Sequence, residues 1–223
     1  MKPQPHIKTE GNSNFHIGEI INNTVHYDFQ KIKTYLNIKG YRMFGKNFKI
    51  YKEDEPLIFK LCCYFIQDHY SCSQMGIDIN KGLLLSGPVG CGKTSLMKLL
   101  VHLAPHKTNY QIVPTRNIVF NFNSTGFKVL ENYNETKNYC FDDLGVEPTG
   151  SHYAKECNVM GEILLSRYEL FCHPERSRRV FTHITTNLNA QELEKRYGNR
   201  VRSRMRAMFN LISFDENTSD KRK

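Results

Sequence analysis

No apolar run in the 223-residue chain is long enough to cross a bilayer. The longest, Leu57 to Ile66, is broken by Lys60. Nothing behind Met1-Lys2-Pro3-Gln4-Pro5-His6 resembles the apolar core of a signal peptide. A membrane partner is therefore not expected, and the expected location is the cytoplasm. The seven cysteines form no C-x-x-C pair. This argues against a zinc site or a disulfide framework and for reduced thiols. Acids are scarce beside bases, 22 against 31, which leaves a formal charge of +9. Such a surface favours polyanionic partners. The hydrophobic share of 39% suits a soluble chain with one well-buried α/β domain and a smaller appendage.

Against that background one stretch stands out. Gly87-Pro88-Val89-Gly90-Cys91-Gly92-Lys93-Thr94 fits the phosphate-binding pattern G-x-x-x-x-G-K-[ST] at every fixed position. Its surroundings fit as well. Lys81 to Ser86 is a short apolar run that reads as a buried parallel strand. Leu96, Leu99, Leu100 and Leu103 follow at helical spacing. Strand, glycine loop and helix then form a cradle of inward N–H groups at a helix N-terminus. Gly87 to Thr94, with Ser95 behind them, are the expected nucleotide contacts. Lys93 is expected to reach the β- and γ-phosphates of ATP, and the Thr94 hydroxyl to bind Mg²⁺. Cys91 occupies a free position of the motif. A thiolate would be favoured there electrostatically, but the residue is read as filler.

Residues 1–14 are polar and read as a flexible arm. Residues 15–75 read as a small, mainly helical region with a linker. Its aromatic and basic residues interleave from Phe15 to Lys49, which could stack bases or simply pack, and packing is the preferred reading. A helix is expected from Asp54-Glu55-Pro56 to about Tyr70. From residue 76 to 214, strands and helices alternate. Strands are expected at Tyr110–Val113, Asn138–Asp143, Val180–Asn187 and Asn210–Phe214. Helices are expected at Arg116–Phe122, Phe127–Tyr133, Ala154–Phe171, Ala190–Tyr197 and Val201–Met208, with Ala104-Pro105 ending the phosphate-loop helix. That alternation implies a parallel sheet covered on both faces. Residues 215–223 read as a charged tail.

Three constellations carry chemistry. Asp142-Asp143 ends a strand about fifty residues after the loop. Asp142 is assigned to the metal and Asp143 to the attacking water, with a strand-ending turn as the bland alternative. Asn187 follows a strand at the end where open parallel sheets bind ligands, so its amide could position water, or it is a turn residue. The segment Arg196 to Arg206 is dense in guanidiniums, with Arg200 and Arg204 one turn apart on one helix face. Such a face could supply an arginine to a neighbouring active site, grip nucleic-acid phosphates, or be solvated. Arg176, Arg178 and Arg179 add to this basic character.

Together these elements resemble the AAA+ ATPases of the DnaC/IstB group, which are bacterial helicase loaders and transposition helper proteins. The likeness runs from about Gly76 to Phe214. It rests on the phosphate loop, Cys140-Phe141-Asp142-Asp143-Leu144-Gly145-Val146-Glu147-Pro148, the Thr185-Thr186-Asn187 element and Arg196 to Met205. The resemblance implies an α/β P-loop NTPase of AAA+ type with a five-stranded parallel sheet. It implies Mg²⁺-dependent hydrolysis of ATP and ATP-dependent homo-oligomers. It also implies action on DNA, single-stranded in preference to duplex, with a replicative helicase or a transposase as partner. Lys93, Asp143 and Asn187 would be catalytic, with Arg204 as the trans-acting arginine and Arg200 second. The chain departs from the fuller family pattern in having only a short tail after the last strand, which leaves no room for a helical lid. The stretch Cys172 to Arg179 matches no family element and is expected as an exposed loop. A small-molecule or nucleotide kinase is the reading from another class, but no insertion resembles an acceptor lid. A DNA-binding module with negligible turnover is a further alternative. An ABC subunit is argued against, because no Ser-Gly-Gly signature lies between the loop and the acidic strand.

Overall fold

The computed structural model describes residues 4–103, 109–173 and 180–222. The expectations at Ala104-Pro105, Arg176, Arg178 and Arg179 lie outside these residues. The chain forms two units, Met1–Met75 with Ser95–Lys107, and Gly76–Thr94 with Thr108–Lys223.

The first unit begins with two antiparallel hairpins, β1 (Ile7–Glu10) with β2 (Ser13–His16), and β3 (Gly18–Ile21) with β4 (Thr24–Tyr27). The expected mainly helical region thus contains β3, β4 and the end of β2, and the stretch read as an arm carries β1 and the start of β2. The turn between β3 and β4 uses Asn22 and Asn23 at φ 50° and 62°. Asparagine tolerates this left-handed backbone, which makes a tight hairpin turn possible without glycine. Helix α1 (Phe29–Phe44) starts where the Asp28 carboxylate accepts the N–H groups of Gln30 and Lys31. Next come α2 (Glu55–Ile66) and α3 (His69–Gln74), separated by Gln67 in the left-handed conformation. The interleaved aromatics largely pack. Phe15 lies 5.7 Å from Tyr35, Phe29 lies 5.1 Å from Phe59, and Phe44 lies 5.3 Å from Phe48. Several of the bases are ion-paired, as in Lys39 to Glu10 at 2.7 Å and Lys33 to Glu55 at 3.0 Å.

The second unit is built on β5 (Gly82–Ser86), whose Leu83, Leu84 and Leu85 are buried. Their burial contributes roughly 5–9 kcal/mol of transfer free energy. Helix α4 (Lys93–Leu100) follows the phosphate loop, with Lys93 and Thr94 in this unit and Ser95 onward in the first. Then come β6 (Gln111–Pro114), α5 (Thr115–Thr125), α6 (Lys128–Asn132) and β7 (Tyr139–Leu144). A hairpin of β8 (Gly150–His152) and β9 (Lys155–Cys157) precedes α7 (Val159–Cys172). The helix expected from Ala154 therefore starts five residues later. Residues Tyr153 and Ala154 form the hairpin turn at φ 47° and 60°, a conformation their identities do not advertise. The unit closes with β10 (Thr182–Thr186), α8 (Ala190–Met208) and β11 (Phe209–Ser213).

Five strands form one sheet in the order β11-β5-β10-β7-β6, and every pair is parallel. This agrees with the expected fold class. The order matters for the site, because β10 lies between the loop-bearing β5 and the acid-bearing β7. The carboxyl ends of the three strands therefore open together. Phe141, Ile163, Leu164, Ile184, Leu193 and Met205 belong to the core that joins β7 and β10 to α7 and α8.

Candidate nucleotide site

The phosphate loop turns from β5 into α4 with Gly90 at φ +82° and Gly92 at φ +102°. Any side chain at Gly92 would be strained on backbone grounds alone, since open space surrounds it. The Lys93 ammonium is nearly buried and donates to the carbonyls of Gly87 and Pro88, 2.8 Å each. It thus lies folded over the loop it is expected to serve. Cys91 is buried, and that burial pushes its thiol up, against the pull of Lys93. The expected thiolate preference is thus overruled by desolvation, and the residue packs as a neutral thiol. Ser95 is a half-buried residue in the first turn of α4.

Asp142 meets the loop directly. Its Oδ1 accepts the Thr94 hydroxyl at 2.8 Å and the Thr185 hydroxyl at 2.7 Å. The Thr185 oxygen in turn accepts the N–H of Asp143 at 2.9 Å. Thr115, at the start of α5, donates to the Asp143 carbonyl at 2.9 Å. Asp143 itself adopts φ +56° and remains exposed while Asp142 is buried. The kink turns the second carboxylate out of the strand toward solvent. Partial burial and the neighbouring Asp142 raise its proton affinity, and Lys93 and Arg222 oppose the rise. Thr94 and Asp142 together offer hydroxyl and carboxylate oxygens, the hard donors that suit Mg²⁺.

Asn187 follows β10 at its carboxyl end, beyond Thr186, whose hydroxyl donates to the Leu144 carbonyl at 2.6 Å. It is exposed and lines a cleft of ≈ 650 Å³ together with Ser86, Gly87, Pro88, Arg202 and Phe214. Arg202 and Arg206 line this cleft, whereas Arg200 and Arg204 do not. Among the described residues the Arg202 Nε is buried without a hydrogen-bond partner. Arg204 is half-buried, its guanidinium 5.0 Å above the Tyr168 ring, and Arg200 is exposed.

The arginine-bearing helix is broken at Gly198, with φ 82° and ψ 162°, into the two expected helical halves. An Asn189 capping box with Glu192 starts the first half. Glu147 fixes the approach to the break. Its buried carboxylate accepts from the Tyr197 hydroxyl, from the Gly145 N–H at 2.8 Å and from the Arg196 Nε at 3.4 Å. Arg196 is therefore a structural partner, not a free cation. We expect Glu147→Ala to cost about 2–3 kcal/mol in urea unfolding, because a buried hydroxyl and a backbone N–H lose their acceptor. Glu147→Gln should cost less, since an amide oxygen still accepts. Equal losses for the two variants would show that packing, not hydrogen bonding, holds the loop.

Sequence reasoning named Thr185, Glu147 and Arg202 only as members of longer stretches, without a role for any of them, and passed over Thr115. The alternation of β10 signals that Thr185 lies opposite its neighbours, but only the sheet order shows that it faces Asp142.

No curated protein matches the chain. A family model described as RNA helicase matches residues 83–186, from β5 through β10. Among solved structures, the chain is similar to a protein described as a candidate primosome component from Streptococcus pyogenes serotype M3. Identity is 19%, coverage is 74% of this chain and 82% of that one, and the TM-score is 0.50. It is also similar to a DnaC helicase loader at 22% identity, covering 61% and 79% of the two chains with a TM-score of 0.46. The parallel sheet and the glycine loop give the chain the fold of the P-loop NTPases, a fold that implies a nucleotide ligand and usually Mg²⁺. Among the described residues no helix is long and apolar enough to cross a membrane.

Proposed function

We propose that the chain is a Mg²⁺-dependent ATPase that acts in DNA replication by loading or remodelling a helicase on single-stranded DNA. The observation that carries the ATPase part of the reading is the continuous bond chain from Thr94 through Asp142 and Thr185 to Asp143, and the helicase-loading part rests on the resemblance of the motifs. The bond chain links the helix that receives phosphates to the strand that presents two acids. Bound MgATP supplies an activated phosphoryl centre; Thr94 and Asp142 are the residues to hold the ion. Lys93 leaves the Gly87 and Pro88 carbonyls and neutralises phosphate charge. Asp143 takes the proton of the attacking water, and Asn187 orients that water.

The raised proton affinity of Asp143 sets a pH dependence. A base must be ionised, so turnover should fall on the acid side from a point above the usual carboxylate pKa of 3.8. A flat profile down to pH 4 would remove Asp143 from the role.

Arg204, with Arg200 second, is assigned to a neighbouring subunit's phosphates. The test mixes two inactive variants. Lys93→Ala and Arg204→Ala should each lose most DNA-stimulated turnover, and their mixture should recover part of it, because mixed interfaces restore one complete site. Turnover that is indifferent to Arg204 and to mixing would overturn the trans assignment. Stimulation by duplex but not by single strands would favour the transposition-helper reading instead. Turnover that needs a small phosphoryl acceptor would favour a kinase.

A further inference from the structure

The stretch after β11 does not leave the site. The Phe214 N–H donates to the Ser86 carbonyl at 2.9 Å, which extends the β11–β5 pairing one residue past Ser213. The chain then turns on Asp215, whose carboxylate accepts the Asn217 N–H at 2.8 Å and whose carbonyl accepts the Thr218 N–H at 3.0 Å. This turn sends it back over the phosphate loop. The Lys221 N–H donates to the Gly90 carbonyl at 3.1 Å. The Asp220 carboxylate lies so close to Gly90 that any side chain there would collide with it. Phe214 also packs against Gly87, where an added Cβ would lie 2.7 Å from the Phe214 Cβ. Arg222 is paired with Asp220 at 3.1 Å, and its side chain stays 65% exposed. Lys221 lies 5.0 Å over the Phe214 ring and acts electrostatically on Cys91. Arg222 acts on Asp143, as Lys93 does.

Residues 220–222 are thus fastened to the middle of the loop at Gly90, and they bring one acid and two bases to it, while Glu216 lines the cleft beside Gly87 and Pro88. An unpaired Asp220 would repel phosphates. With Asp220 paired to Arg222, Lys221 gives residues 220–222 a net positive charge at Gly90, although Asp215 and Glu216 make residues 215–222 as a whole more acidic than basic. We propose that Lys221 and Arg222 are nucleotide-binding residues supplied in cis, and that Arg222 exchanges Asp220 for a phosphate oxygen when the loop is filled. The guanidinium suits that exchange, because it forms charge-assisted bonds to phosphate as readily as to carboxylate. The inference rests on the reading of the loop as an ATP site.

Calorimetric titration of the full chain with ATP, ADP and AMP, at low and high salt, tests it. Lys221→Ala with Arg222→Ala should weaken ATP binding about tenfold, weaken ADP less and leave AMP unchanged. High salt should shrink the difference. Asp220→Asn should tighten ATP severalfold, because it frees Arg222. A double variant that binds ATP as well as or better than the unaltered chain would overturn the proposal and make the segment packing or a block. So would equal losses for ATP and AMP. Lys93→Ala separates this failure from that of the loop reading. If the unaltered chain binds ATP and Lys93→Ala does not, an unaffected double variant overturns only the role of Lys221 and Arg222. If the unaltered chain binds no ATP, both fall.

Discussion

Asp143→Asn should abolish nearly all ATP turnover, by about 10²–10⁴-fold, while leaving ATP affinity close to that of the unaltered chain. The amide keeps the size and the φ +56° backbone that asparagine tolerates, and the bonds through the Asp143 N–H and carbonyl are main-chain bonds that survive. On the proposed reading, what is lost is a base. The same substitution should not destabilise the fold. Because burial and Asp142 raise its pKa, the native state binds this proton more tightly than the unfolded chain does. The stability that this contributes is present below the ordinary value of 3.8 and is lost as pH rises through the folded one. At neutral pH the ionised side chain is therefore a cost, and asparagine removes it. A melting temperature equal to or above that of the unaltered chain, with turnover gone, is the expected pair of results. Retained turnover would move the base elsewhere. A drop in melting temperature would mean that the carboxylate has a structural partner.

The expected pairing of lost activity with kept stability also separates Asp143 from Asp142. Asp142 accepts two hydroxyls, so Asp142→Ala strands Thr94 and Thr185 as well as removing the proposed metal donor. Neighbouring acids in one strand end thus have different surroundings, and the difference comes from the backbone. One side chain points along the sheet toward β10 and α4. The other is turned out by a left-handed residue.

Much of this was legible before any coordinates. The glycine-lysine-threonine loop, the acid pair and the alternating elements carry local signals, because each depends on residues close in sequence. The features that escaped depend on pairing across the chain. The hairpins at 18–27 and 150–157 turn on Asn22, Asn23, Tyr153 and Ala154, where glycine, the usual marker, is absent, whereas the hairpin at 7–16 turns on Gly11 at φ +60°. Thr185 reads as one more β-branched residue of a buried strand. Its bond to Asp142 exists only because β10 is inserted between β5 and β7. The stretch after Phe214 reads as a solvated charged tail by composition, and its return to Gly90 is a tertiary fact that composition does not encode.

Arg167 is the largest of these omissions, and Arg167→Met should cost about 3–5 kcal/mol of stability. The residue lies inward on α7 and is 1% exposed, where sequence reasoning expects an apolar side chain or a solvated charge. Its Nε donates to the Thr182 hydroxyl at 2.8 Å. Its terminal nitrogens donate to the carbonyls of Glu135 at 2.7 Å, Lys137 at 2.8 Å, Tyr133 at 3.3 Å and Phe181 at 3.4 Å. These groups lie in the approach to β7 and at the amino end of β10. One guanidinium therefore staples the entry of the acid-bearing strand to that of the strand beside it. Burial lowers its pKa to about 10, so it stays charged at neutral pH. Methionine fills much of the volume but leaves the carbonyls without donors. Lysine keeps the charge with a single nitrogen and should recover only part of the loss. For a chain of this size the methionine variant should melt roughly 6–20 °C lower. The staple holds the strand ends opposite the phosphate loop, so turnover per folded molecule should change little at a temperature where the variant is folded. An unchanged melting temperature would refute the staple. A large loss of turnover in the folded variant would instead show that the positions of Asp142 and Thr185 depend on how β7 and β10 begin.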